Sequence, residues 1–354
     1  MRLKKVSNFN IYCLILKGNN KDLASCEFET LWELYNGEKI KLKEVKNTFY
    51  VFSSKIEIKQ NKQNGQNSEH FSRLTYTNYI GKCILKNKKL PVLLNNILKL
   101  DFSVYKNKSF CVRIKNAKKE EYHDKLEREL AEPIWDTFEN PKVDLKNPDL
   151  EFNFFLCEEN NYFCESIFEN KKEYLKRMPK LRPVAMPYTL KSDMARCAVN
   201  LLKLKSGIVL DPFCGIGGIL LEAYDMNFQI IGNDISWNDL QYTKTNFNYY
   251  FPDAKYQLSL ADSKTQFLKK NTIDGIVSDI PYGKCSRKLG DDLYENFLIS
   301  AREYLKKDGR MVLIYANFNE IKTLAKKYFL IIDEIDEYIN KSMTRHILIL
   351  ENKK

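Results

Sequence analysis

Histidine is scarce in this sequence: His70, His123 and His346 are the three such residues among 354, and they lie far apart. That spacing suggests neither a histidine metal site nor a Ser-His catalytic pair. Cysteine numbers nine, but no Cys-x-x-Cys pair occurs. Cys157 and Cys164 stand too far apart for a zinc knuckle. No metal is expected, and free thiols in a reducing compartment are. Apolar runs long enough for a membrane span are missing as well. The N-terminal MRLKKVSNFNIYCLILKG is basic, but its apolar stretch is short and alternates like a strand. No small-residue cleavage site follows, so the cytoplasm is the expected location. Acidic residues are in deficit, with 46 Asp and Glu against 57 Lys and Arg, a net charge of +11 and a pI near 9.0. Such an excess suits a polyanionic partner. A basic proteome or a surface kept only for solubility is the alternative, and nucleic acid is favoured.

What is present falls into two parts. The first fifty residues read as strand, helix, strand, with Leu23, Phe28, Leu31, Trp32 and Tyr35 near helical spacing. Residues 59–70 are polar and rich in Gln and Asn, which predicts a loop. Leu90 to Leu100 suggests a helix with Pro91 in its first turn. SFCVRIKN alternates like a half-buried strand with a cationic face, and an amphipathic helix follows it. LEFNFFLCE is another alternating segment. The basic, proline-containing KKEYLKRMPKLRP marks the main boundary. From Arg182 onward strands and helices alternate: a helix from Ser192, then GIVLD, Gln229 to Asn233, Ala254 to Leu260, a helix near Lys264, Gly275 to Ser278, a helix from Leu293, Arg310 to Tyr315, and a helix from Glu320. Two closing strands follow, Ile331 to Tyr338 and Arg345 to Leu350. This order predicts an α/β fold with a doubly wound, mostly parallel sheet and an antiparallel edge hairpin.

Four motifs carry chemistry. Asp211-Pro212-Phe213-Cys214-Gly215-Ile216-Gly217-Gly218 lies between a strand and a helix. Its glycines let backbone approach a ligand, and the helix start beyond favours an anion. Asp211 can hold an ammonium group. Together these charges match the zwitterionic methionine end of S-adenosylmethionine, although a structural tight turn remains open. Asp234, followed by Ile235, comes about 20 residues later, where an acidic residue meets ribose hydroxyls. Asp262, followed by Ser263, ends another strand. It can accept from an adenine amino group, or either residue can cap a helix. The expected cofactor set is therefore Asp211, Pro212, Cys214, Gly215, Gly217, Asp234, Ile235, Asp262 and Ser263.

The fourth motif, Ser278-Asp279-Ile280-Pro281-Tyr282-Gly283, follows the fourth core strand, where ligands of open α/β sheets bind. An exocyclic amine on a nucleobase is a poor nucleophile because its lone pair delocalises into the ring. Two acceptors, the Asp279 carboxylate and the Ile280 carbonyl, can localise that pair. Pro281 fixes the direction of the carbonyl. Tyr282 can stack on an extruded base. The expected catalytic set is Asp279, Ile280, Pro281 and Tyr282.

These residues resemble the amino-group methyltransferases whose fourth motif reads Asp/Asn-Pro-Pro-Tyr. A fuller resemblance is to the archaeal THUMP-domain tRNA guanosine N2-methyltransferases acting at position ten. It rests on SFCVRIKN, KVDLKNPDLEF, RMPKLRPVAMPYTLKSDMARCAVNLL, DPFCGIGGILLEA, IIGNDISWNDL and SDIPYGKCSR, and covers most of the chain. Ile280 replaces the usual first proline, and Met186 stands where a His precedes the Pro. The resemblance implies a ferredoxin-like segment over residues 1–50, a THUMP RNA-binding domain over 51–150, a linker over 151–182, and a Rossmann-like class I methyltransferase domain over 183–354. It gives Gly215, Gly217, Asp234 and Asp262 to S-adenosylmethionine, and makes Asp279 and Tyr282 catalytic. It also implies tRNA as partner and an accessory subunit as an open question; a monomer is otherwise expected.

The expected reaction is in-line methyl transfer to the guanine 2-amino group of a flipped base, with a second round giving the dimethyl product. Arg113, Lys115, Arg177, Lys180 and Arg182 are candidate phosphate contacts, unless they form a solvated basic face. Guanosine at position six of tRNA, N6-adenine of another nucleic acid, and a non-catalytic RNA-binding module remain as alternatives.

Overall fold

The computed structural model describes residues 9–18, 20–58, 69–115, 124–187, 189–281, 292–316, 319–341 and 343–353. Two units emerge, and the chain crosses between them more than once. One comprises Met1–Lys21, Glu38–Ser72 and Thr77–Asn170; the other comprises Asp22–Gly37, Arg73–Tyr76 and Lys171–Lys354.

In chain order the elements begin with β1 (Asn10–Leu16), α1 (Lys21–Asn36), β2 (Lys43–Lys46), β3 (Phe49–Ser54), β4 (Thr77–Asn87) and α2 (Leu90–Ile97). They continue with β5 (Ser109–Ile114), α3 (Asp124–Trp135), β6 (Lys142–Val143), β7 (Leu150–Phe155) and β8 (Asn161–Glu169). The strands form one sheet in the order β2-β3-β1-β4-β8-β7-β5-β6. Residues 10–54 therefore share a sheet with residues 77–169. The segment expected as a linker begins with two sheet strands, and the unit ends at Asn170. Neighbours along a strand face opposite ways. Phe154 and Phe163 pack in a core with Leu93, Ile97, Leu130 and Ile134 from α2 and α3. Phe155 and Cys164, one residue further on, join a separate cluster with Cys13, Phe49, Tyr79 and Tyr162.

The second unit holds α4 (Ser192–Leu201), β9 (Ile208–Asp211), α5 (Gly218–Asp225), β10 (Gln229–Asp234), α6 (Trp237–Tyr250) and β11 (Gln257–Leu260). It ends with β12 (Ile273–Asp279), α7 (Leu293–Tyr304), β13 (Leu305–Ala316), α8 (Asn319–Tyr328), β14 (Phe329–Asn340) and β15 (Met343–Asn352). Its sheet runs β11-β10-β9-β12-β13-β15-β14. The pairs from β11 through β13 are parallel, and β15 lies antiparallel to both β13 and β14. This is the doubly wound sheet with an antiparallel hairpin that the sequence predicts. The helix expected near Lys264 is instead a turn. There Asp262 Oδ1 accepts from Lys264 N at 2.9 Å and the Asp262 carbonyl from Thr265 N at 3.0 Å.

The N-terminal helix α1 belongs to this second unit. It buries Leu23, Phe28, Leu31 and Trp32, as the spacing predicts, but also Glu27. Glu27 accepts from Thr75 N and Oγ1, Tyr76 N and the Asn200 side chain of α4. Four donors offset the cost of removing that side chain from water. No described helix is long and apolar enough to cross a membrane.

Candidate active site

Strand order reverses between β9 and β12, so the ends of β9, β10 and β12 face a common crevice. Asp211, Asp234 and Asp279 terminate these three strands. The charge of Asp279 adds a minor upward push to the Asp211 carboxyl. Asp211 is 1% exposed, and Ser278 donates its hydroxyl to Asp211 Oδ1 at 2.6 Å. Burial pushes the Asp211 carboxyl up to about 7 against the pull of Ser278. Burial likewise raises Asp279 to about 7, with Arg345 opposing. Asp279 Oδ1 is buried and has no hydrogen-bond partner among the described residues.

The glycine turn links β9 to α5. Gly215 and Gly217 have φ of 50° and 83°, a region that disfavours a side chain. A Cβ on Gly217 would lie 2.8 Å from Thr243 Cγ2, whereas one on Gly215 would meet nothing within 4 Å. Gly215 therefore borders open space. The Asp234 carboxylate holds the turn, accepting from Gly215 N at 2.8 Å and Ser236 N at 2.9 Å. Its pKa is raised by burial. Cys214 is buried and its N–H donates to the Asn233 carbonyl. Ile235, just beyond β10, is 55% exposed.

Sequence reasoning missed Asn233. It is fully buried and donates to the carbonyls of Pro212 and Ala261 and to Ser263 Oγ. Ser263 in turn donates to the Pro212 carbonyl at 2.6 Å. Its hydroxyl braces the turn from within. Asp262 remains partly exposed while closing its own turn.

Ile280 N donates to the Ile314 carbonyl, and the Ile280 side chain is buried in the core of α7, α8 and β13. An apolar side chain there gains core packing in place of proline's ring. Tyr294, also missed, donates from α7 to the Pro281 carbonyl. It holds this backbone where the sequence suggests only the proline does. Tyr282 lies outside the described residues.

Two of the candidate phosphate contacts are corrected by burial. Arg177 is 6% exposed and pairs through Nε and Nη2 with Glu222 at 2.9 and 2.8 Å, and with Asp225. Arg196 joins the same carboxylates. Arg182, equally buried, donates to the Arg177 carbonyl and to Ser192 Oγ. Its Nη1 lies 3.0 Å from where a Cβ on Gly218 would stand, so it packs closely against the start of α5. Arg113 and Lys115 are partly buried and paired, the first with Glu127, the second with Glu151 and Glu169. Lys180 is exposed.

With this geometry in view, similarity to known proteins is informative. A family model described as an RMKL-like methyltransferase domain matches residues 179–341. Another, described as DNA methylase, matches residues 17–245 and stops short of Asp279. The tRNA (guanine(10)-N2)-dimethyltransferase of Methanothermobacter thermautotrophicus is 30% identical over 257 residues, covering 71% of this chain and 76% of that protein. This chain belongs to the tRNA (guanine(10)-N2)-dimethyltransferase family. The family member from Methanocaldococcus jannaschii is 29% identical over 94% of this chain and 97% of its own length. The U6 snRNA (guanine-N(2))-methyltransferase THUMPD2 of Bos taurus is 31% identical over 49% of this chain and 33% of its own. The crystal structure of TrmN from Thermus thermophilus matches 97% of this chain and 99% of its own with a TM-score of 0.52 at 20% identity, which supports the fold.

Proposed function

We propose that the chain methylates the 2-amino group of guanosine at position ten of tRNA, once and then again, with S-adenosylmethionine as donor. The observation that carries this reading is Asp279 Oδ1, a buried acceptor without a donor among the described residues, at the switch point of a methyltransferase-family sheet. The open space beside Gly215, the raised carboxyl of Asp211 and the exposed Ile235 fit the methionine, ammonium and adenine parts of that donor. When bound, the donor supplies an electrophilic sulfonium methyl.

The chain's own residues do the rest. Asp279 accepts one amine N–H, the Ile280 carbonyl the other, and the lone pair is localised on nitrogen. Tyr294 and Pro281 hold the backbone at that acceptor. The transfer would break the donor's S–CH3 bond, leaving a neutral thioether, and Asp279, whose raised pKa suits a base near neutral pH, would take the surplus proton from nitrogen. The N-terminal sheet unit serves as the THUMP-type tRNA grip, and the exposed Lys180 of the second unit adds a phosphate contact. A tRNA substrate supports a cytoplasmic location. The tRNA and snRNA relatives are both named for guanine N2, which favours this amine over N6-adenine.

The test is mass spectrometry of nuclease-digested tRNA after incubation with the purified chain alone and labelled cofactor. N2-methyl- and N2,N2-dimethylguanosine at position ten are expected. Methyl groups on position six or on adenine would overturn the assignment. If product forms only after an accessory subunit is added, the chain does not act alone. Asp279→Ala should abolish transfer with tRNA and cofactor affinity nearly intact.

A further inference from the structure

Three cysteines that the sequence scatters meet in the N-terminal unit. Cys13 on β1, Cys83 on β4 and Cys164 on β8 bring their sulfur atoms within 4.8 Å of one another. The three strands are neighbours in the sheet. Cys83 stands directly opposite Cys164, and Cys13 is opposite Gly81, two residues before Cys83. Period-two alternation therefore puts all three on one face. Gly81 leaves the space that the Tyr79 ring occupies. Phe49, Phe155 and Tyr162 complete an apolar wall, and Cys157 packs against it.

We propose that these three thiols form a binding site for a thiophilic d10 metal ion, Zn(II) or Cu(I). Metal–sulfur bonds of about 2.3 Å set thiolates about 4 Å apart around one ion, a spacing this cluster reaches with small side-chain shifts. An all-sulfur donor set selects soft ions over Mg2+ and Ca2+. Cys13 and Cys164 are fully buried while Cys83 is partly exposed, which gives an ion a way in. On binding, each protonated thiol gives up its proton to solvent as its metal–sulfur bond forms, up to three per ion. The bound ion would tie β1 to β4 and β8.

Reduced full-length protein, freed of metal, should be titrated with Co(II) as a spectroscopic probe. We expect one ion per chain, with sulfur-to-metal charge-transfer absorption that Zn(II) displaces. Cys83→Ser should weaken binding by more than the roughly 10- to 100-fold that outer-sphere partners are worth. Cys111→Ser, a buried cysteine outside the cluster, should leave it unchanged. A Cu(I) competition series distinguishes the two ions, since a site that holds only Cu(I) ignores Zn(II). Alkylation of the unmutated chain gives a check that needs no variant: metal should slow the reaction of the partly exposed Cys83. Absence of binding for all three ions, or binding that Cys83→Ser leaves intact, overturns the site and shows three thiols serving only as small apolar core residues.

Discussion

Acidification should switch the enzyme off through two carboxyl groups at once. Asp211 and Asp279 both sit near pKa 7 in the free protein. In the proposed roles each must be ionised, Asp211 to hold an ammonium and Asp279 to accept an amine N–H. At pH 6 each is roughly one-tenth ionised, so the competent fraction is on the order of one in a hundred. Between pH 8 and pH 6, kcat/KM should therefore fall about 100-fold, against about 10-fold for a single group. The assay is the initial rate of labelled methyl transfer to unmodified tRNA at fixed ionic strength, since tRNA affinity follows salt. Asp279→Asn should lower the plateau by roughly 100- to 1,000-fold and leave a limb of single-group slope. A flat profile between pH 6 and 8, or an unchanged slope in Asp279→Asn, would refute the argument. The same shifts act on stability with the opposite sense. The folded chain holds these protons more tightly than the unfolded one, so their contribution is full below the ordinary carboxylate pKa. It declines as pH rises to about 7.

Glu222→Ala strips the buried Arg177 and Arg196 of a shared partner and should cost about 3–5 kcal/mol in urea unfolding. Gly217→Ala should destabilise by about 1–2 kcal/mol, because φ is 83° and Thr243 blocks the new methyl; calorimetry should also show weaker cofactor binding. Tyr294→Phe loses one hydrogen bond, about 0.5–1.5 kcal/mol, and should lower kcat while leaving tRNA affinity unchanged. Lys180→Ala should weaken tRNA binding and reduce the slope of log K against log salt by about one, measured by filter binding across a salt series.

The catalytic half is legible where chemistry follows local order. The glycine turn, the strand-end aspartates and the alternation of strands and helices are written within a few residues of one another, and the sheet assembles them as expected. What escaped depends on distant partners. Arg177 lies in a basic stretch that reads as surface, yet its carboxylates are 45 and 48 residues away. Glu27 sits mid-helix like a solvated charge, but its Asn200 partner is 173 residues on. Asn233 has no motif, since its role comes from bonding two separate segments, the turn at Pro212 and the stretch around Ala261 and Ser263. Cys13, Cys83 and Cys164 meet only because β1, β4 and β8 are adjacent, which spacing in sequence does not encode.

The placement of α1 has a consequence for how the protein is made. Its helix leaves the ribosome early, but Asn200 follows 173 residues later, roughly ten to thirty seconds at ordinary synthesis rates. Until then the carboxylate of Glu27 stays in water, and Phe28 and Trp32 lack their final packing. The methyltransferase unit therefore cannot finish folding as an independent C-terminal piece. A fragment starting at Lys171 would lack α1 and Arg73, leaving Asn200 and the apolar surface around α4 without cover. The N-terminal sheet unit and the methyltransferase unit are synthesised as one commitment, with the first helix kept waiting for the last half of the chain.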